Sequence, residues 1–296
     1  MKITEILKQQ RHSLSFEVFP PKTSDNFESV MENAAKIAQL SPSFMSVTYG
    51  AGGGTSDYTA EIARRLSDMS VLPLAHLTCI SSTKEKVRSV LDKLCECGIE
   101  NILALRGDKP AGWCEETAEY RSSAELMREI VEYGGFAIGG ACYPEGHPEL
   151  PTREANLAAL RRKAECGCEF FTTQMFFDND VYYRFIDSLS GYGIDVPVIA
   201  GIMPVTSKLQ LGRIVSISAS TLPTAFLKMV EKYGDDPVSM RLAGVDYAIR
   251  QASDLYERGV KAVHIYSMNK PDVARDIRRS LRWATDIDFE AGSSDE

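Results

Sequence analysis

The chain lacks any apolar run near the ~20 residues that a membrane-spanning helix requires. It also lacks a basic and then apolar leader at its start, so a protein of the cytoplasm is expected, with no membrane partner. It has no surplus of positive charge. Lys and Arg number 33 against 41 Asp and Glu, a net charge of −8. A nucleic-acid partner needs a basic face and is not expected, whereas a small anionic ligand needs only a local cluster. The seven cysteines are scattered. Cys95 and Cys97, and Cys166 and Cys168, are two apart on predicted helices and therefore point to different faces. Reduced thiols fit better than zinc ligands. No H-x-H, H-E-x-x-H or C-x-x-C is present, so no metal is expected. Absence of G-x-S-x-G and of a P-loop removes the usual serine-hydrolase and nucleotide-hydrolase signatures.

What is present is an alternation. Short, apolar, β-rich runs occur at Leu14–Phe19, Phe44–Tyr49, Leu74–Cys79, Asn101–Arg106, Ala137–Tyr143, Phe170–Phe177, Val196–Met203 and Ala262–Met268. Amphipathic patterns separate them: Asn26–Gln39, Ser56–Ser67, Thr83–Cys97, Tyr120–Tyr133, Arg153–Cys166, Asp180–Tyr192, a long region Ser207–Arg258, and finally Pro271–Trp283. A short amphipathic helix is expected over 1–10, and an acidic tail over 287–296. Caps are marked by Ser24-Asp25, Ser82-Thr83 and Asp272, and ends by Gly98, Gly167, Gly193 and Gly259. Near-continuously apolar strands separated by helices imply a parallel sheet covered outside. Eight units predict an α/β fold, a single-domain (β/α)₈ TIM barrel over 1–286. An open doubly wound sheet would want G-x-G-x-x-G after its first strand, where Phe19-Pro20-Pro21 stands instead.

In such a barrel, polar residues at the carboxyl ends of strands are functional candidates. Glu17 lies in an apolar first strand, pointing either into the barrel or to its outer layer. Buried among aromatics, its pKa would rise and it could donate a proton, or it could be a satisfied structural carboxylate. Arg106-Gly107-Asp108 ends strand four as a ligand clamp or as a tight turn with an ion pair. His76 sits within strand three, and Tyr143, Glu145 and His147 in a proline-flanked loop after strand five. Gln174 is an amide among Phe and Met, and His264 and Tyr266 lie on strand eight. Tyr49, Tyr143, Phe176, Phe177 and Tyr266 are ring-stacking or core aromatics. Arg161, Arg162 and Lys163 form a basic run that is either a solvated face or a diphosphate cradle. A site rich in aromatics and hydrogen-bonding groups, with few nucleophiles, suits a flat cofactor that carries redox chemistry.

Taken in order, Phe16-Glu17-Val18-Phe19-Pro20-Pro21-Lys22-Thr23, Val47-Thr48-Tyr49-Gly50-Ala51, Ala75-His76-Leu77-Thr78-Cys79, Ala104-Leu105-Arg106-Gly107-Asp108, Tyr143-Pro144-Glu145-Gly146-His147-Pro148 and Thr173-Gln174-Met175-Phe176-Phe177-Asp178 resemble the successive motifs of the methylenetetrahydrofolate reductases. The resemblance implies an FAD barrel that reduces 5,10-methylenetetrahydrofolate to 5-methyltetrahydrofolate in ping-pong fashion, with NADH or NADPH reducing the flavin first. It implies Glu17 as general acid and Asp108 beside flavin and pterin. It implies FAD contacts from Thr48, Tyr49, His76, Arg106, Gly107, Asp108, Tyr143, His147, Arg162 and Lys163, with Asn156 standing where many relatives have an acidic residue. Gln174, Gln210, Tyr266 and Lys270 fall on the folate side. Strand eight reads Tyr-Ser-Met-Asn-Lys where the family often has Tyr-Thr-Leu-Asn-Arg, so Lys270 lacks a guanidinium's two-pronged grip. A homo-oligomer is expected, and an accessory electron-transfer subunit is compatible. The alternatives are another FAD barrel of proline dehydrogenase type, or a non-catalytic flavin- or folate-binding subunit.

Overall fold

Strand β1 (Ser13–Val18) is buried along its whole length, as a strand flanked by strands and covered on both faces must be. In the computed structural model, which describes residues 1–9, 12–21, 26–49, 56–109, 112–218 and 220–285, it is one of eight. The others are β2 (Met45–Val47), β3 (Pro73–Thr78), β4 (Asn101–Leu105), β5 (Ala137–Cys142), β6 (Phe170–Thr173), β7 (Val198–Ile202) and β8 (Ala262–Ile265). All pair in parallel and in chain order, and β8 returns to β1 to close the barrel. The open-sheet alternative is thereby excluded.

The helices are α1 (Ile3–Lys8), α2 (Phe27–Ala38), α3 (Ser56–Asp68), α4 (Lys84–Glu96), α5 (Ser123–Tyr133), α6 (Arg153–Glu165), α7 (Asn179–Gly191), α8 (Lys208–Ser218), α9 (Thr224–Tyr233), α10 (Pro237–Glu257), α11 (Pro271–Ser280) and α12 (Arg282–Thr285). Thr83 caps α4 by accepting from the Lys86 N–H, and the four expected terminating glycines all have positive φ. Ser24-Asp25, Gln10 and the 287–296 tail lie outside the described residues. Two expectations need correction. The long region after β7 is three helices, because Pro223 caps α9 and Pro237 opens α10 behind an Asp236 cap. Strand β6 stops at Thr173 and not at Phe177, because Phe176 and Phe177 turn away into helix-packing clusters.

Alternation along each strand divides the core. Leu14, Phe16 and Val18, with Met45, Val47, Ala75 and Leu77, face the helices. The opposite parity faces inward. Low in the barrel those residues are apolar: Phe44, Leu74, Leu103, Phe170, Ile199 and Ala262. Helix α1 plugs this end with Ile3, whose N–H donates to Asn101 Oδ1 at 2.8 Å. One layer higher the inward residues turn polar, and the site begins there.

Candidate active site

Register decides which polar groups meet. Glu17 on β1 is paired with Ser46 on β2, and Ser15, two residues earlier, with His264 on β8. Residues two apart on a strand share a face, so Ser15 and Glu17 both point inward. The result is a buried chain. Ser15 Oγ lies 2.8 Å from His264 Nδ1, His264 Nε2 lies 3.1 Å from Ser46 Oγ, and Ser46 donates to Glu17 Oε2 at 3.5 Å. From β3, His76 Nε2 approaches the same Oε2 to 3.7 Å.

Burial sets the charge states. Glu17 is 6% exposed. Loss of hydration pushes its carboxyl up to about 8, against the smaller opposing effect of the Ser46 hydroxyl. The same desolvation pushes His76 and His264 down to about 3. At neutral pH Glu17 is therefore protonated and both imidazoles are neutral. The 3.7 Å Glu17–His76 contact joins two uncharged groups and is not an ion pair. Glu17 thus points into the barrel, and its carboxyl is an available acid.

Above it opens a cavity of about 940 Å³, at the upper end of the usual range for ligand sites. Its wall brings together Glu17, Thr48, Tyr49, His76, Tyr143, Gln174, Gln210 and Tyr266, among Phe19, Leu105, Met175, Met203 and Met268. Tyr266 crosses the barrel mouth to donate to the Thr173 carbonyl at 2.5 Å. It can do so because Gly201 stands below it, where a Cβ would lie 2.6 Å from the phenol oxygen. Gln174 uses its carbonyl oxygen on the Met175 N–H, leaving its amide nitrogen without a partner among the described residues. Gln210 spends its oxygen on the N–H groups of Thr206 and Ser207 at the start of α8.

Of the remaining expected residues, Arg106, Gly107, His147, Asn156 and Lys163 lie beyond β4 and β5 and outside the cavity wall, Arg162 is in the last turn of α6, and Lys270 follows β8. Arg106 grips Glu149 with two guanidinium nitrogens at 2.7 and 2.5 Å, which holds the Glu149 carboxyl down at about 2. Gly107 has φ +85°, so a turn requirement accounts for that glycine. Asp108 and Arg162 are exposed. His147 meets Tyr143 edge-on, with centroids 4.6 Å apart, and its N–H donates to Asn156 Oδ1 at 2.6 Å. The Asn156 amide donates to the carbonyls of Leu150 and Thr152, pinning the loop. Lys163 Nζ donates to the Ala141 carbonyl at 2.6 Å, and burial lowers its pKa. Lys270 donates to Thr206 Oγ1 at 2.7 Å. Gly50 and Ala51 lie outside the described residues.

Sequence reading assigned no role to Ser46, His264 or Glu149. The first two carried a weak signal, as lone polar residues on inward positions of apolar strands. Glu149 carried none, since its partner lies 43 residues away. Among the described residues no group of three or more His, Cys, Asp or Glu is placed to hold a metal ion. None of their helices is long and apolar enough to cross a membrane.

A closed (β/α)₈ barrel with a buried carboxyl of raised pKa beneath a large apolar cavity places the chain among barrel proteins whose site lies at the carboxyl ends of the strands. The family model for methylenetetrahydrofolate reductase matches residues 2–282, and the chain belongs to that family. It is 35% identical to 5,10-methylenetetrahydrofolate reductase of Pectobacterium carotovorum subsp. carotovorum, covering 94% of this chain and 93% of that protein. It is 34% identical to the Escherichia coli (strain K12) protein of the same description, covering 92% of each. Methylenetetrahydrofolate reductase (NADH) 1 of Arabidopsis thaliana is 31% identical over 95% of this chain, which spans 50% of the plant protein. In fold, the chain resembles an uncharacterized protein from Clostridium thermocellum that binds two copies of 5-methyl-5,6,7,8-tetrahydrofolic acid. There the TM-score is 0.65 at 14% identity, covering 94% of this chain and 99% of that one. Family membership sets aside the proline dehydrogenase-type reading.

Proposed function

We propose that this barrel reduces 5,10-methylenetetrahydrofolate to 5-methyltetrahydrofolate, with FAD bound in the cavity and NADH or NADPH as the reductant, in a ping-pong sequence. The observation that carries this reading is Glu17, an acid kept protonated at neutral pH in the cavity wall of a chain of this family. The residues fit a flavin and a pterin. The cavity is largely apolar, and among the described residues the Gln174 amide nitrogen is unpaired and buried His76 Nε2 has no hydrogen-bond partner. FAD would be held by Thr48, Tyr49, His76 and Tyr143 in the wall, and by Arg106, Gly107, Asp108, His147, Asn156, Arg162 and Lys163 outside it. When bound, it supplies two-electron hydride chemistry. Gln174, Gln210, Tyr266 and Lys270 would hold the folate.

Glu17 does the proton work. Its carboxyl gives a proton to the ring nitrogen that leaves the bridging carbon, and the electron pair of the broken C–N bond stays on that nitrogen. The carbon left electron-poor then accepts hydride. Apolar walls exclude water from this step. The product is a methyl donor of the kind methionine synthesis consumes, in the cytoplasm. A homo-oligomer, with or without an accessory electron-transfer subunit, is compatible with this role.

Anaerobic spectroscopy tests the proposal. The FAD-loaded protein should be bleached by NADH or NADPH and re-oxidised by methylenetetrahydrofolate. A protein that takes up no FAD would overturn it. Glu17→Gln should keep the bleaching step and lose on the order of 10²- to 10⁴-fold in folate reduction, the usual worth of a positioned acid. Equal loss in both half-reactions would refute the acid role.

A further inference from the structure

The hydrogen-bond chain behind Glu17 has a direction that the acid role constrains. Glu17 offers two oxygens. Oε2 is the one met by Ser46 and approached by His76, whereas Oε1 makes no hydrogen bond among the described residues. For the proton to reach a ligand it must sit on Oε1, and something must keep it off Oε2.

A hydroxyl carries one proton and can accept as well as donate. Neutral His264 has one N–H and one lone pair, and which nitrogen bears the proton is set by its partners. Both ring nitrogens are engaged, Nδ1 with Ser15 and Nε2 with Ser46. If Nδ1 carried the proton, Ser46 would have to donate to Nε2. Its lone pairs would then face Glu17. A protonated Glu17 would be drawn to place its proton on Oε2, between itself and Ser46. After giving up that proton, the buried carboxylate would face an oxygen with nothing to donate. If Nε2 carries the proton, it donates to Ser46, and the Ser46 proton is free to point at Oε2. Ser15 then donates to Nδ1 along the shortest link of the chain, 2.8 Å. In this tautomer His264, Ser46 and Glu17 Oε2 are satisfied both before and after proton transfer, and the acid proton is left on Oε1.

We propose that His264, held by Ser15 as its Nε2–H tautomer, and Ser46 are the positioning residues that orient the Glu17 proton toward the cavity. Ser15 is wholly buried, and among the described residues its one proton has two acceptors, His264 Nδ1 at 2.8 Å and the Val263 carbonyl at 3.3 Å; the closer is Nδ1, and the chain is closed at that end. It orients the proton and does not refill it, and Glu17 is reprotonated from the cavity side. The titratable groups facing Glu17 are His76 from β3, and His264 and Tyr266 from β8 and the residue after it. Burial keeps all three uncharged near neutrality, so the Ser46 hydroxyl is the polar donor that a nearby residue offers the carboxylate.

The inference rests on the proposed reaction, and two measurements separate its failure from that of the reaction. First, ¹⁵N-histidine NMR of the FAD-loaded protein, with the His264 signals identified by their loss in His264→Gln, should show Nε2 protonated and Nδ1 bare from pH 6 to 9. An Nδ1–H tautomer or an imidazolium overturns the proposal. Second, both half-reactions are followed against pH in wild type, Ser46→Ala and Ser46→Thr. Wild-type folate reduction should fall as pH rises through about 8, where the acid ionises. Ser46→Ala removes a donor to the carboxylate, so the falling limb should move to higher pH. Its plateau should drop about tenfold relative to flavin bleaching, a fraction of the worth of the acid itself. Ser46→Thr keeps the hydroxyl and should restore both. An unmoved limb with an unchanged ratio in Ser46→Ala, or equal loss in both half-reactions, overturns the proposal. If the wild type bleaches but does not reduce methylenetetrahydrofolate, the functional reading fails and the tautomer alone decides the positioning role.

Discussion

Glu17 and Glu149 each lie beside a basic side chain, yet they end in opposite charge states. Glu149 sits on the rim, about half exposed, and meets Arg106 through two short bonds. Water still hydrates the pair and the guanidinium is permanently charged, so the carboxyl ionises easily and its pKa falls to about 2. Glu17 meets His76 beneath the cavity, where neither group has water. Desolvation there outweighs their mutual attraction, and both become neutral. An acid within reach of a base is a salt bridge in one place and a proton store in the other. What differs is solvent, not residue type.

The largest expected effect that separates the two regions is on stability against pH. The folded-state pKa of Glu17 is raised from 4.5 to about 8. The native state therefore holds its proton more tightly than the unfolded chain, and this stabilisation is full below 4.5 and lost as pH rises through about 8. Glu149 has the opposite sign, present above 4.5 and lost as pH falls through about 2. His76 and His264, depressed to about 3, add stability as pH rises from about 3 to 6.5, but they cancel in a comparison of variants. Glu17→Gln should therefore gain on wild type by roughly 4 kcal/mol between pH 5 and pH 8. Thermal melts across that range check it, and parallel curves would show that Glu17 is already ionised.

Next in size is Gly201→Ala. Its Cβ would press on the Tyr266 phenol and on the Thr173 carbonyl in the mouth of the barrel. Overpacking of this kind costs about 1–3 kcal/mol, and the melting temperature should fall accordingly. On the rim, Asn156→Ala removes three backbone contacts that pin residues 147–152 and should cost about 1–2 kcal/mol. Limited proteolysis should then cut that loop faster. The smallest effect belongs to the two-pronged Arg106–Glu149 pair. Glu149→Gln should shift stability by no more than about 1 kcal/mol, shrinking further in salt, because the pair is solvated. A larger loss would mean that the rim is as dry as the cavity floor.

The eightfold alternation was legible because each strand–helix unit writes its own period, and closure into a barrel follows from repeating it. Glu17 was legible as a carboxyl on strand one, and Tyr143 and His147 as members of one loop after strand five, where their rings meet. The end of β6 was misjudged because Phe176 and Phe177 look like strand residues and are claimed by helix packing instead. Arg106 was legible as a residue of the turn after strand four, but its hold on Glu149 was not, since that pair joins two loops that only the barrel brings together.

The sequence by itself determined the barrel, the family and the carboxyl on its first strand. These rest on local periodicity and on motifs that lie along the chain. Only the tertiary structure decided that Glu17 faces inward over a dry floor, opposite Ser46 and beside His76, with His264 behind Ser46. Strand register around a closed barrel sets those neighbours. A carboxyl's charge depends on the water and dipoles around it, and distant segments of the chain supply both.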